Sequence, residues 1–225
     1  MKFPDFMDLL MAAEAPPPGR LCSACGQDGV YKCHSCLGEP LFCTNCCRTQ
    51  HMLLPFHRIS QWTGCFFQET CLMKLGVEVF LGHQGQPCPN CPDSLNPDVF
   101  DWYDSDDDIT NSDLPDGTTI PLIMDCKAMT VVDKSGVHSV MIRYCLCSSA
   151  LNQDTQLFQM GMFPASFNRP KTAFTFAVLD DFLLDNLECG TSAMNYYSKL
   201  RRMTSSVFPH LVPVSNILCI IRPCF

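Results

Sequence analysis

The chain has 225 residues, contains 17 cysteines and carries a formal net charge of −8. This length allows one or two small domains with an apolar core. The longest late apolar run, residues 211–221, is interrupted by Pro213 and Asn216 and is too short to cross a bilayer, so we expect no membrane partner. The short apolar run at the N-terminus contains Asp8, which argues against a signal peptide and predicts an intracellular, reducing compartment in which thiolates bind metal.

The negative charge belongs to one segment. Residues 98–116 contain eight aspartates and no lysine or arginine, whereas basic and acidic side chains balance at fifteen each over the rest of the chain. Such a segment is typical of a solvated, disordered insertion. A calcium loop is the alternative, but the spacing lacks the central glycine and terminal glutamate of an EF-hand.

The chain begins with a predicted short helix and linker over residues 1–19. Within residues 3–14, Phe6, Leu9, Leu10 and Ala13 recur at helical spacing on one face, and the proline-rich run 16–19 ends the helix.

Three C-x2-C pairs and two histidines follow within residues 20–62. The pairs are Cys22/Cys25, Cys33/Cys36 and Cys43/Cys46, and the histidines are His51 and His57. Eight sulfur and nitrogen ligands make two four-coordinate sites, which is the coordination that zinc prefers. Because so short a segment cannot bury a core, metal would supply its folding energy. Closed sites of this kind are structural.

The eight ligands can be shared between the two ions in more than one way. We favour an interleaved arrangement, in which the first and third pairs bind one ion and the second pair binds the other with the two histidines. This resembles the cross-brace of B-box, RING and related treble-clef modules, and the closing H-x5-H fits a B-box best. Cys47 could replace Cys46 by a slip of one residue. A disulfide framework is the alternative for the whole stretch.

Residues 63–204 indicate an α+β domain with few strands and a second cysteine cluster. We predict strands at residues 75–81, 120–132 and 137–144, the last two joined by a turn at 133–136. A C-x-C motif, Cys145 and Cys147, follows the third strand and would meet His83 and Cys88 in a third zinc site. Cys91 and His138 are competing ligands, and burial as small apolar residues is the alternative for these cysteines.

Two helices are predicted near the C-terminus. A strand over Gln156–Pro164 precedes a helix over Lys171–Cys189, which Gly190 ends. Thr191 or Ser192 caps a second helix that runs through Met203. The expected core residues are Phe176, Leu179, Leu183 and Leu187 on the first helix, and Tyr196, Tyr197 and Leu200 on the second. Residues 205–225 show no amphipathic period and are expected to be an unstructured, aberrant tail without a docking face.

Several stretches resemble one family in order along the chain. They are YKCHSCLGEPLFCTNCCRTQHMLLPFHRISQW, FFQETCLMKLGVEVFLGHQGQPCPN, VVDKSGVHSVMIRYCLC, QLFQMGMFPASFNRPKTAFTFAVLDDF and SAMNYYSKLRRMT. Together they cover about residues 30–204. The sequence is similar to the CxC-like cysteine cluster of the second class, found N-terminal to the transposases of the fungal Kyakuja–Dileera–Zisupton (KDZ) group. The acidic insertion at 98–116 departs from the more compact family pattern.

The resemblance implies a zinc-chelating region in a DNA-transposon protein. It supports ten of the ligands named above, Cys33, Cys36, Cys43, Cys46, His51, His57, His83, Cys88, Cys145 and Cys147, and supports Cys91 less securely. In such transposases an RNase-H-like catalytic domain follows downstream. Because this chain ends soon after the helix pair, we expect it to be truncated before that domain and inactive as an enzyme.

Two functions remain open, and neither involves a small-molecule substrate. The first is recognition of transposon DNA ends in the nucleus, and the second is binding of protein partners or self-association. The nearest basic cluster is Lys199, Arg201 and Arg202 on the last helix, and no patch in residues 20–62 is strongly basic. DNA binding depends on clustered lysine and arginine, so the charges favour protein partners while the family context favours DNA. An enzyme is disfavoured, since neither a thioredoxin-like βαβ unit nor a G-x-S-x-G motif is found.

Overall fold

The computed structural model describes residues 3–90, 126–206 and 208–212. The predictions for Cys91, the acidic segment 98–116, residues 120–125 and the chain after 212 lie outside these residues. The described helices are α1 Phe3–Ala12, α2 Thr44–Gln50, α3 Gln153–Gln159, α4 Phe176–Cys189 and α5 Ala193–Thr204. The described strands are β1 Tyr31–Cys33, β2 Leu41–Phe42, β3 Ile59–Trp62, β4 Phe67–Thr70, β5 Glu78–Phe80, β6 Cys126–Asp133, β7 Gly136–Arg143, β8 Met162–Pro164 and β9 Thr172–Thr175.

The first four strands form an antiparallel sheet in the order β2-β1-β3-β4. Strand β4 lies beyond residue 62, and the apolar cluster behind the sheet continues as far as Val77. We refer to residues 20–77 as the N-terminal unit. Its buried cluster combines Cys22, Cys33 and Cys47 with six larger side chains, Tyr31, Phe42, Ile59, Leu72, Leu75 and Val77. Cysteines therefore make up a third of the buried residues in the small core of this unit.

The other five strands form a mixed sheet in the order β5-β7-β6-β9-β8. The predicted hairpin is confirmed where it is described, because β6 and β7 pair antiparallel and turn between Asp133 and Gly136. Strands β5 and β9 pair parallel with β7 and β6, respectively. We refer to residues 78–90, 126–206 and 208–212 as the C-terminal unit. Apolar side chains are buried on both faces of its sheet.

Two predicted strands are shorter than expected. Residues 75–81 contain only β5, because a 3-10 turn over Leu72–Leu75 ends at Gly76 with φ +75°. Residues 156–164 form the end of helix α3 followed by β8, so the prediction of one continuous strand there is wrong. Short apolar runs fit helix and strand equally well, and Gly161 with φ +77° separates the two elements.

The predicted helix over 171–189 begins later than expected. Residues Thr172–Thr175 are strand β9, and Thr175 then caps α4 by accepting a hydrogen bond from the Val178 amide at 3.2 Å. The predicted end at Gly190 is confirmed, with φ +63°. The predicted apolar face is wrong at Phe176 and Leu187, which are 36% and 67% exposed, whereas Leu179 packs half-buried against the core as predicted. The residues of α4 that are buried are Val178 and Phe182. Both sets of positions recur at helical spacing, so periodicity alone cannot choose between them.

Helix α5 follows the prediction closely. Ser192 caps it by accepting a hydrogen bond from the Asn195 amide at 3.3 Å, and its three predicted core residues, Tyr196, Tyr197 and Leu200, are buried. The expected absence of a docking face after residue 204 is wrong at Val212. This side chain follows a 3-10 turn over Pro209–Leu211 and is buried in the same cluster as α5.

Helix α1 is present as predicted, but its apolar side chains are not buried. Phe6, Leu9 and Leu10 are 57–66% exposed. None of the helices in the described parts of the chain is both long enough and apolar enough to span a membrane.

The two units contact each other through the segment that contains His57. The Ser135 hydroxyl oxygen lies 3.4 Å from the Phe56 carbonyl oxygen, and the Phe56 ring lies 5.6 Å from that of His138. The Arg58 guanidinium donates to the Thr204 carbonyl oxygen at the end of α5. The segment Phe56–Arg58 therefore lies against the second sheet.

Candidate metal centres

The structure brings the predicted ligands together in three groups of four. Within each group the thiol sulfur or imidazole nitrogen atoms all lie within 4.8 Å of one another. Site 1 contains Cys22, Cys25, Cys43 and Cys46; site 2 contains Cys33, Cys36, His51 and His57; and site 3 contains His83, Cys88, Cys145 and Cys147. The grouping of sites 1 and 2 is interleaved, with the first C-x2-C pair beside the third.

The distances within the groups fit tetrahedral coordination of zinc. Zinc bonds sulfur at about 2.3 Å and nitrogen at about 2.0 Å, so tetrahedral ligands stand about 3.8 Å apart for two sulfurs and about 3.5 Å for sulfur and nitrogen. The Cys25 and Cys43 sulfurs are 3.7 Å apart, and those of Cys88 and Cys147 are 3.6 Å apart. Sulfur–nitrogen distances run from 3.1 Å to 3.6 Å in sites 2 and 3. Each group could therefore hold one metal ion.

Tight turns and a helix cap position the site 1 thiols. After Cys22 the chain turns sharply, and the Gly26 amide, at φ +73°, donates to the Cys22 carbonyl oxygen at 2.9 Å. Cys43 is the N-cap of α2, and its sulfur accepts a hydrogen bond from the Cys46 amide at 3.4 Å. The helix thus fixes the spacing of the third pair, and amide groups point towards the sulfur atoms.

The pKa values in site 1 indicate that its four thiols do not all ionise readily on their own. Burial alone would raise the pKa of Cys22, but backbone N–H groups that stabilise the thiolate, first that of Cys43, lower it to about 6. The neighbouring Cys25 and Cys43 thiols raise the pKa of Cys46 to about 12. One thiolate forms readily and then opposes ionisation of the others, so only a bound cation would stabilise all four.

In site 2 the two histidines present different nitrogen atoms. His51 ends α2 and is fully buried, and its Nδ1 lies 2.7 Å from the Cys47 carbonyl oxygen. Because a carbonyl oxygen can only accept, Nδ1 carries the proton, which leaves Nε2 free to face the Cys33 sulfur at 3.1 Å. His57 instead presents Nδ1, at 3.5 Å from the Cys36 sulfur.

The protonation states of the site 2 histidines differ as well. The Cys47 thiol is the main cause that raises the pKa of His51 to about 9, so an ion at Nε2 has to displace a proton there. Burial, followed by the charge of His51, lowers the pKa of His57 and favours the neutral form that binds metal.

Site 3 joins two segments that are far apart in the sequence. His83 lies in a 3-10 turn after β5, and its Nε2 is 3.2 Å from the Cys145 sulfur and 3.4 Å from the Cys147 sulfur. Backbone N–H groups of Leu146 and Asn90 overcome the effect of burial and lower the pKa of Cys88 to about 6. The thiols of Cys145 and Cys88 raise the pKa of Cys147 to about 11. Site 3 thus repeats the pattern of site 1, with an imidazole in place of one thiol.

The competing ligands are placed elsewhere where they are described. Cys47 is fully buried and its sulfur lies 3.8 Å from His51 Nδ1, outside site 1. His138 lies away from site 3, where its Nε2 is 2.9 Å from the Ser135 hydroxyl. Every cysteine with a described side chain is a free thiol, which argues against a disulfide framework.

Sequence reasoning did not single out two polar side chains beside site 3. The Asn90 side-chain amide donates to the Cys147 sulfur at 3.5 Å, and the Gln156 side chain hydrogen-bonds both backbone groups of Cys145. Neither residue belongs to a recognisable metal-binding spacing. Only the folded chain brings them to the thiols.

One family model matches part of the chain. Residues 117–207 match the family model described as a CxC2 like cysteine cluster associated with KDZ transposases. The match confirms the resemblance for less than half of the chain and includes Cys145 and Cys147 of site 3. The resemblance of the earlier stretches stays a prediction. Neither curated proteins nor solved structures give a match.

Proposed function

We propose that this chain is a non-catalytic, zinc-stabilised binding region of a KDZ-transposase-type protein and holds three structural zinc ions. The observation that carries the proposal is the geometry of sites 1–3, in which four sulfur or nitrogen ligands stand at tetrahedral spacing. All four positions of each site are protein ligands, so no position remains for a substrate or an activated water. The zinc would hold backbone segments together and perform no chemistry.

We assign the N-terminal unit to the B-box-like class of cross-braced modules. The support is the interleaved grouping of sites 1 and 2, together with the short helix α2, which carries ligands of both sites at its two ends. A four-thiolate site with one zinc ion carries a net charge of about −2, which would repel phosphate.

The charges of the described surface favour a protein partner. Arg20 pairs with Asp28, Lys32 with Glu39 and Arg58 with Glu69. In contrast, exposed apolar side chains are common in the N-terminal region, where Leu37 and Leu53 are almost fully exposed and helix α1 exposes Phe6, Leu9 and Leu10. Exposed apolar groups of this kind mark surfaces that bind proteins.

DNA recognition is the second candidate, and the matched family favours it because that family accompanies transposases. The basic cluster on α5 is weaker than its sequence suggests. Lys199 lies 2.9 Å from the Asp185 carboxylate, which offsets its charge, whereas Arg202 is exposed. If this function holds, the protein acts in the nucleus at transposon ends.

Cobalt(II) substitution tests the zinc proposal. Cobalt(II) in tetrahedral thiolate sites absorbs visible light strongly, and zinc displaces it. We expect a titration of the reduced chain to saturate at three equivalents and to reverse on adding zinc. Saturation at fewer than three equivalents, or a spectrum of octahedral cobalt(II), would contradict the proposal.

A second experiment separates the two partner classes. Fluorescence anisotropy with a random-sequence 20-base-pair duplex would measure DNA binding as a function of salt, and sedimentation velocity would measure self-association. We expect a Kd weaker than about 10⁻⁶ M with a shallow salt slope. Tight, steeply salt-dependent binding that Arg202→Ser weakens would favour the DNA function instead.

A further inference from the structure

We propose that Gln156 is the positioning residue of site 3, holding Cys145 in place to bind metal. This inference rests on the proposed function, since it assumes that site 3 takes zinc. Gln156 lies on the short helix α3 and is only 5% exposed. It contributes no ligand atom and would act through the backbone of Cys145.

The side-chain amide of Gln156 contacts Cys145 on both of its backbone polar groups. Its Oε1 accepts from the Cys145 amide at 2.8 Å, and its Nε2 donates to the Cys145 carbonyl oxygen at 3.2 Å. Nε2 also donates to the Leu151 carbonyl oxygen at 2.7 Å. Both hydrogens of the amide group are therefore used, and the orientation of the side chain is set by three hydrogen bonds.

Cys145 needs such support because it lies just beyond the sheet. The pairing of β7 with β5 and with β6 reaches Arg143 in both registers described. The Leu81 amide still donates to the Arg143 carbonyl oxygen at 2.8 Å, which is the last of these contacts along β7. The amide and carbonyl groups of Cys145 then bond to Gln156 as they would bond to a neighbouring strand.

Gly82 lies close to the side chain of Cys145. A Cβ atom at Gly82 would lie 3.1 Å from the Cys145 Cβ, and its φ of +85° favours glycine. Gly82 also precedes His83, another ligand of site 3. Gln156 thus contacts the backbone of Cys145, and Gly82 lies against its side chain. A shift of the Cys145 backbone would move its sulfur away from His83 Nε2, now at 3.2 Å.

The proposal predicts how substitution of Gln156 changes metal retention. Gln156→Met keeps the length of the side chain and removes all three hydrogen bonds, whereas Gln156→Glu keeps the acceptor for the Cys145 amide. Residues that orient metal ligands typically contribute ten- to hundred-fold to metal affinity. We expect zinc release from site 3 to be about ten- to hundred-fold faster in Gln156→Met and to change less in Gln156→Glu.

The experiment measures the rate of zinc transfer from the zinc-loaded full chain to a colorimetric chelator. Loss of one kinetic phase in Cys147→Ser assigns that phase to site 3. Gln159→Met, an exposed position on the same helix, is the matched control and should release zinc like the wild type. Circular dichroism and thermal unfolding of each variant report whether the C-terminal unit stays folded.

Each result bears on a different claim. A faster site 3 phase in Gln156→Met, with the other phases and the circular dichroism unchanged, supports the positioning role. A wild-type site 3 rate in Gln156→Met overturns it. Equal acceleration of all phases in both Gln156 variants, together with a lower Tm, also overturns it, because that pattern reports general destabilisation. If the wild type binds no third zinc ion, the proposed function fails and the positioning role of Gln156 fails with it, which distinguishes this outcome from a wild-type release rate in Gln156→Met.

Discussion

The N-terminal and C-terminal units both bury apolar side chains, but of their described clusters only that of the N-terminal unit also contains cysteines. The cluster of the N-terminal unit contains Cys22, Cys33 and Cys47 among six larger apolar or aromatic side chains, with further thiols packed at its edge. The two clusters of the C-terminal unit contain valine, leucine, methionine and aromatic side chains and line both faces of a five-stranded sheet. With metal bound at sites 1 and 2, as we propose, the N-terminal unit would draw folding free energy from metal as well as from apolar burial, whereas the two clusters of the C-terminal unit rely on apolar burial.

Site 3 combines features of both units, since it is a candidate metal centre in the unit that has the larger apolar core. It belongs to the C-terminal unit, but its ligands lie at the margin of the sheet, where His83 is exposed and Cys145 and Cys147 are half-buried. None of its four ligands belongs to the apolar clusters of that unit. A metal at site 3 would therefore order the segments around it without supporting the main core.

The largest effect is expected for Cys33→Ser in site 2. Cys33 is fully buried in the N-terminal cluster, and its loss removes one zinc ligand from a unit without a large core. Structural zinc sites contribute on the order of 10 kcal/mol. We expect backbone amides of residues 20–77 to lose protection from hydrogen exchange while those of β6 and β7 keep most of theirs.

Cys145→Ser is the matched control for that experiment. It removes a ligand of site 3 and should expose amides near residues 83–88 and 145–150 only. Unfolding of the second sheet in Cys145→Ser, or an N-terminal unit that stays protected in Cys33→Ser, would contradict the expected difference between the two units.

Apolar burial in the C-terminal unit is tested by Leu200→Ala. Leu200 is 1% exposed, and truncation of a fully buried leucine typically lowers the free energy of unfolding by about 2–5 kcal/mol. Leu187→Ala, on the exposed face of α4, should change it by less than about 0.5 kcal/mol. Chemical denaturation of the zinc-loaded proteins measures both values. Equal effects of the two substitutions would contradict the observed face of α4.

The pH dependence of stability should reveal the half-buried His138. Burial, with a further contribution from Arg58, lowers the pKa of His138 to about 4, although Asp133 opposes the shift. As the pH falls below the usual value near 6.5, the unfolded chain takes up a proton before the folded chain does. The free energy of unfolding should therefore decrease between about pH 6.5 and pH 4, by about 2 kcal/mol at pH 5.

His138→Gln removes this titration and isolates it from zinc release, which occurs in both proteins. Chemical denaturation of the wild type and of His138→Gln at pH 7 and pH 5 measures how much the free energy of unfolding of each protein falls with pH. An equal fall in the free energy of unfolding in both proteins would show that His138 is not held neutral in the folded chain.

The smallest effect is expected for the contact between the units. Arg58→Met removes the hydrogen bond to the Thr204 carbonyl oxygen and the exposed ion pair with Glu69. We expect a loss of about 1 kcal/mol, seen as faster hydrogen exchange at the end of α5. Gln61→Met, an exposed position on β3, is the control. Unchanged exchange at α5 in Arg58→Met would show that this hydrogen bond does not hold the units together.

Local features of the sequence predicted much of this structure. The C-x2-C spacing, the turn before Gly136 and the caps at Gly190 and Ser192 act over a few residues, so the ligand groups, the hairpin and the helix ends could be read directly. The helical form of α3 and the buried face of α4 could not, because short apolar runs and competing periodic positions fit more than one arrangement. The contact between Phe56 and His138 joins residues far apart in the sequence and depends on tertiary packing alone.

The most direct test of the account is the zinc stoichiometry of the intact, reduced chain by native mass spectrometry. We predict three zinc ions in the wild type and two in both Cys147→Ser and Cys25→Ser. Disulfide-bonded species without zinc, or a wild-type chain that retains fewer than three ions, would contradict the claim that three tetrahedral metal centres organise this protein.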